Sequence, residues 1–229
     1  MNIRLGDKSE QVKYIQEWLY YWKKAVEINS EFDTPTSESI KCFQKSNKLE
    51  ITGIVKNDTW LKLNAPLNDL DHLPGTNGSL NSVIVSNALR HYKLKPIEIG
   101  GANCGPFVRY YMKGVEGLYW GCGFVSTIII QSFTTLKISP YNKFRYQTDC
   151  NELYKDASTL LTLDSNPSVG SLFISYNPSN TCKCLHTGIV IKVDIKNGLI
   201  ITIEGGSRDN FEVTSRTRTI NNKYFISLS

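Results

Sequence analysis

Apolar residues recur in residues 9–22 at Val12, Ile15, Leu19 and Trp22, spacings of three, four and three that place one stripe on a helix. Ser9 stands where an N-cap would open it. The same logic predicts a helix over Thr36–Ser46 carrying Ile40, Phe43 and Gln44, and a short one from about Asp58 with Trp60, Leu61 and Leu63. These three make a small helical unit over residues 1–65, and the stretch 66–79, rich in Pro, Gly, Asn and Asp, reads as a linker. Beyond it, Val83, Val85, Ala88, Leu89 and Tyr92 predict a helix over Leu80–Tyr92, and Gly105-Pro106 opens another lined by Val108, Tyr111 and Met112. A third begins at Cys122, where apolar residues 124/128, 125/129 and 129/133 stand four apart. From Val169 the pattern changes to strands: Ser171–Tyr176, His186–Val193, Leu199–Glu204 and Lys223–Leu228. Helices followed by strands give the fold class α+β, with residues 80–229 as the larger unit.

Composition narrows the function classes. With 229 residues, 41% hydrophobic and 21% charged, the chain can bury one medium core and one small one. Its 26 Lys and Arg against 21 Asp and Glu give a net charge of +5 without a clustered basic stripe, which argues against nucleic acid and suits loose attraction to an anionic cell wall. No apolar run approaches the about 18 to 20 residues of a membrane span. The longest, Phe124–Phe133, is interrupted by Ser126, Thr127, Gln131 and Ser132. The N-terminus has no apolar signal core, so any destination outside the cytoplasm is expected to be reached by release or non-classical secretion. Six cysteines at 42, 104, 122, 150, 182 and 184 are irregularly spaced and are expected to be mostly reduced. A Cys182–Cys184 bridge would close an awkwardly small ring. Cys42, between Ile40 and Phe43, reads as a small buried hydrophobe.

Cys122 carries the candidate chemistry. It lies in Tyr119-Trp120-Gly121-Cys122-Gly123-Phe124 at a helix start, where free amides and the macrodipole favour a thiolate and can donate to an oxyanion. Gly121 and Gly123 would let a substrate carbonyl approach. A thiolate nucleophile needs a base, and of three histidines His72 falls in the linker and His91 near the end of an exposed helix, both expected to be solvated. His186 opens a strand and remains. Glu204 ends Leu199–Glu204, and if the two strands are antiparallel neighbours it reaches the imidazole. A backbone carbonyl or Asp209 could orient the ring instead. Two rival uses of cysteine stay open: Cys104, which also precedes a helix, as nucleophile, and Cys182, Cys184 and His186 as zinc ligands recruiting Cys104 or Cys150.

Two resemblances follow from these motifs. Leu5, Gly6, Val12, Gln16, Leu19, Phe32, Thr36, Phe43, Gln44, Leu49, Gly53, Thr59 and Trp60 fall in the order of the three-helix peptidoglycan-binding domain of bacterial and phage wall hydrolases, over almost all of residues 3–63. Asn29-Ser30 here replaces that family's Asp-Gly turn. Over about residues 95–206 the chain resembles the CHAP family of papain-like cysteine, histidine-dependent amidohydrolases and peptidases. Asn103, Gly105, Pro106, Val108, Tyr111, Gly114, Gly117, Trp120, Cys122, Phe124, Val125 and Ser126 carry that likeness, with Gly121 inserted before the cysteine. His186-Thr187-Gly188-Ile189-Val190 and Thr202-Ile203-Glu204-Gly205-Gly206 continue it.

The resemblance implies a papain-like domain of N-terminal helices on an antiparallel sheet. Cys122, His186 and Glu204 would be nucleophile, base and orienter, and Trp120, Gly121, Gly123 and Asn103 would stand beside the substrate. It implies a monomeric peptidoglycan hydrolase, amidase or endopeptidase, with no metal or cofactor, acting as a phage endolysin or antibacterial effector. An immunity protein or secretion machinery would be its other partners. Two alternatives remain: an inactive peptidoglycan-binding scaffold, and a papain-like toxin acting on host protein.

Overall fold

The structure, a computed structural model, describes residues 1–73, 78–160, 163–206 and 211–228, and their side chains except at 180–183. In the N-terminal unit β1 (Asn2–Ile3) precedes α1 (Glu10–Tyr21) and α2 (Thr34–Ser46). β2 (Val55–Lys56) then pairs antiparallel with β1 and leads into α3 (Asn57–Leu63). Ser9 caps α1 and Asp33 caps α2, each side chain accepting the amide three residues on. Two buried glutamines tie the connecting loops. Gln16 accepts from the amides of Asn29 and Ser30 and donates to the Glu31 carbonyl. Gln44 accepts from Thr52 and Gly53 and donates to the Ile54 carbonyl. This clamp holds Ser30 at φ +66° without a glycine.

The stretch expected to be a linker contains α4 (Ala65–Asp71), opened by Pro66 and burying Leu70. Its carbonyls are held from the larger unit: Arg90 donates to those of Asp69 and Leu70, and Gln131 donates to that of Leu70. The small unit is docked as well. Trp18 and Tyr21 of α1 meet Phe107 edge to face, at centroid distances of 5.4 and 5.3 Å. Beside them the fully buried Glu17 is paired with Arg109, which also holds Glu116. One apolar core therefore runs from Val12 through Phe107 to Ile189.

The larger unit is α+β, as the pattern predicts. α5 (Leu80–Leu94), α6 (Pro106–Tyr111), α7 (Gly121–Thr135) and α8 (Cys150–Leu160) come first. Then follow β3 (Leu163–Asp164), β4 (Leu172–Asn177), β5 (Asn180–Asp194), β6 (Leu199–Glu204), β7 (Thr214–Thr219) and β8 (Lys223–Ile226). The six strands form one antiparallel sheet in the order β3-β8-β4-β5-β6-β7. α7 is buried along nearly its whole circumference, including Phe124, Val125, Ile128 and Ile129, the condition of a central helix. No helix among the described residues is long and apolar enough to cross a membrane.

Two side chains depart from expectation. His91 is fully buried between Tyr111 and Gln131, because α5 packs along α7 and Tyr111 at the end of α6 reaches its ring. Cys42 is exposed, since α2 turns Ile40 and Phe43 inward and the position between them outward.

Candidate functional site

The N-terminus of α7 opens into a cleft of about 780 Å³, counting its mouth. Gly121 and Cys122 form its floor. Met112, Leu118 and Tyr119 line one side, Thr148–Asn151 and β5 residues Cys184–Thr187 the other. Cys122 and His186, far apart in sequence, thus share one cavity. His186 lies within β5 rather than at its start, opposite Ser175 of β4, and its side chain is 21% exposed. Phe173 backs the ring edge to face at 6.1 Å.

β5 and β6 are antiparallel neighbours, and Ile189 faces Ile203. That register brings Glu204 across the strand from Gly188 and within 2.8 Å of His186, Oε2 to Nε2. Gly188 makes the crossing feasible: a Cβ there would stand 2.6 Å from the Glu204 Cγ. The other edge of the imidazole faces α7, its Cε1 and Nδ1 lying 3.3 and 3.5 Å from where a Cβ on Gly121 would be. With Glu204 accepting the Nε2 proton, Nδ1 carries the lone pair on the side of Gly121, the residue before Cys122.

Glu204 is fully buried. Burial alone would raise its pKa, but hydrogen bonds from Arg218, His186 and Thr202 outweigh that and hold it down at about 2. Arg218, on β7, donates to both carboxylate oxygens and is the residue that sequence reasoning missed. Its signal is the neighbouring strand, since a buried carboxylate requires a cation and Thr-Ser-Arg-Thr-Arg-Thr alternates beside Leu199–Glu204.

The cysteine's environment differs from the expectation of a stabilised thiolate. Cys122 is only 4% exposed. Burial, and after it the negative charge of Asp149, push the thiol pKa up, so the free site holds a neutral thiol. Asp149 lines the same cleft and caps α8. The sequence marks it, because Asp149 stands three residues before Glu152, the spacing of a capping box.

Several predicted positions are elsewhere. Trp120 is buried, stacked on Tyr111 at 5.3 Å and donating to Glu98, so it presents no surface to the cleft. Asn103 supports the loop through its backbone, which donates to Glu98 and accepts from Gly117. Gly123 is small for packing: a Cβ would meet the Tyr111 carbonyl at 2.2 Å. Of the four residues expected beside the substrate, only Gly121 lines the cleft.

Cys104 lies away from the cleft, its thiol pKa raised by burial and by Glu116. Cys150 and Cys184 are joined in a disulfide that was not expected, which removes both sulfurs from any zinc site with His186, while Cys42, Cys104 and Cys122 are free, in keeping with cysteines that are mostly reduced. The side chain of Cys182 and all of Asp209 lie outside the described residues.

Residues 8–63 match the family of the putative peptidoglycan binding domain. That match supports a peptidoglycan-related protein and peptidoglycan as a partner. No match to the CHAP family accompanies it. No curated protein and no solved structure matches the chain.

Proposed function

We propose that the chain is a CHAP-type cysteine peptidoglycan hydrolase that cleaves an amide bond of the wall peptide. The observation that carries this reading is the two-sided hold on His186: Nε2 bound to Glu204 at 2.8 Å and the Nδ1 edge set against Gly121, beside Cys122. In the reaction, Nδ1 takes the Cys122 proton as sulfur attacks the carbonyl carbon, and Glu204 balances the imidazolium. The first amides of α7 have no intrahelical partner and point toward the developing oxyanion. His186 then gives its proton to the leaving amine, and water, deprotonated by the same nitrogen, releases the acyl group and restores the thiol. Because the free thiol is neutral, proton transfer accompanies the attack instead of preceding it as a standing ion pair.

The test is digestion of purified peptidoglycan by wild type and by Cys122→Ala, read by mass spectrometry of the fragments. Fragments from wild type, with release falling about a thousandfold or more in the variant, support the reading. Equal release from both overturns it. The fragment termini separate an amidase cutting at the sugar from an endopeptidase cutting within the peptide.

The 4% exposure of Cys122 favours one other reading, a wall-binding scaffold with a silent cleft. Sedimentation of wild type with peptidoglycan and no released fragment would establish it.

A further inference from the structure

Asp149 is the one carboxylate among the described residues lining the cleft that holds Cys122 and His186. It caps α8 through Oδ1, which accepts from the Asn151 and Glu152 amides at 2.8 and 3.0 Å. Oδ2 has no hydrogen-bond partner among the described residues. Capping does not require the charge, since Asn or Ser serves a helix start about as well as Asp. The charge also works against the proposed chemistry, because it opposes ionisation of the nucleophile. Asp149 is itself exposed, with neutral Thr148 and Asn151 beside it, and the same cleft carries exposed apolar side chains at Leu118 (59%), Tyr119 (60%) and Leu185 (55%). An apolar rim with a single anion is suited to a ligand that presents carbon to the walls and one positive group to the anion.

We propose that Asp149 receives a primary ammonium group of the substrate, holding it within reach of the scissile carbonyl. The inference rests on the reading of the cleft as the hydrolytic site. Pairing has a second effect. A cation on Asp149 cancels the smaller of the two effects that oppose ionisation of Cys122, the larger, burial, being unchanged. In a wall peptide the ammonium has two sources, the free α-amino terminus of a stem released from its sugar and the side-chain amine of a diamino acid.

The experiment is calorimetric binding to full-length Cys122→Ala, which separates binding from turnover. The probe is L-alanyl-γ-D-glutamyl-L-lysyl-D-alanine in four forms: unmodified, acetylated on the α-amine, acetylated on the ε-amine, and acetylated on both. The same titrations on Cys122→Ala/Asp149→Asn and Cys122→Ala/Asp149→Ser, both of which keep a capping side chain, test the carboxylate. The expected result is that the unmodified peptide binds, that acetylating one amine weakens binding at least tenfold and so names the source, and that either Asp149 change removes the distinction. Equal binding of free and doubly acetylated peptide, undiminished binding to the Asp149 variants, or no binding of any form overturns the proposal. Failure of the hydrolase reading appears elsewhere, as wild type leaving every form uncut, and does not alter a binding result.

Discussion

His91 sits in a knot of polar groups where Gln131 Oε1 accepts from Nε2 at 2.9 Å and the Tyr111 hydroxyl meets Nδ1 at 2.8 Å. Burial first, and the neighbouring Arg90 charge second, push its pKa down to about 3. In the unfolded chain the ring titrates near 6.5, at roughly the ordinary histidine value. Between those values the unfolded state binds a proton that the folded state refuses, so stability falls as pH drops, by up to about 1.4 kcal/mol per unit. Glu204, held at about 2, extends the loss below the usual glutamate range as the unfolded carboxyl is protonated first. Thermal melts from pH 7 to 4 are expected to decline for wild type and to flatten in His91→Gln; parallel curves would refute the assignment. Gly188 gives a second test at this scale. A Cβ 2.6 Å from the Glu204 Cγ forces that side chain to move, so Gly188→Ala is expected to cost about 1–3 kcal/mol in urea unfolding and to slow fragment release. Wild-type values for both would show that the strands accommodate the methyl.

Among elements, α8 and β5 form the wall of the cleft together. The Cys150–Cys184 bond joins them across 34 residues with Cα atoms 5.5 Å apart, two residues from His186. A closed loop of that length stabilises by about 3–4 kcal/mol through the unfolded chain's lost entropy. Reductant is therefore expected to lower the denaturation midpoint of wild type and to leave Cys150→Ser, already lowered, unmoved; equal sensitivity of the two would locate the effect in another cysteine. α7 and the β5–β6 pair were legible because their signals are local: apolar residues four apart, and two apolar strands whose antiparallel pairing brings His186 to Glu204. The disulfide was not, since it depends on where α8 lies relative to β5, and no spacing encodes that. Arg218 was hidden for a similar reason: on its own strand it reads as one more outward polar residue, the register sets it opposite Ile200, and only its long side chain carries the guanidinium along β6 to the buried carboxylate. Trp120 matched a pattern by letter, but a pattern cannot tell a ring facing the cleft from one stacked beneath it on Tyr111.

At the scale of the whole molecule, the two units share a buried ion pair. Glu17 is fully buried, and Arg109, at 2.5 Å, is its nearer counter-ion. Arg109→Ala removes the nearer of that carboxylate's two counter-ions and leaves Lys13 at 3.5 Å, which is expected to cost about 1.5–3 kcal/mol and to split chemical unfolding into two steps as residues 1–65 come away. One transition at the wild-type midpoint would mean that the apolar contacts of Trp18 and Tyr21 suffice. The docking also sets how the proposed cleft meets its substrate. An anchor on a flexible tether lets a catalytic unit sweep a sphere of positions, raising local concentration over all of them. An anchor fixed by Arg109 and Phe107 has no sphere to sweep: once residues 8–63 grip the wall, the cleft stands at one distance and one angle from that grip. The anchor then becomes a ruler, and the bonds open to the proposed cleavage are those that the wall's own geometry presents at that offset.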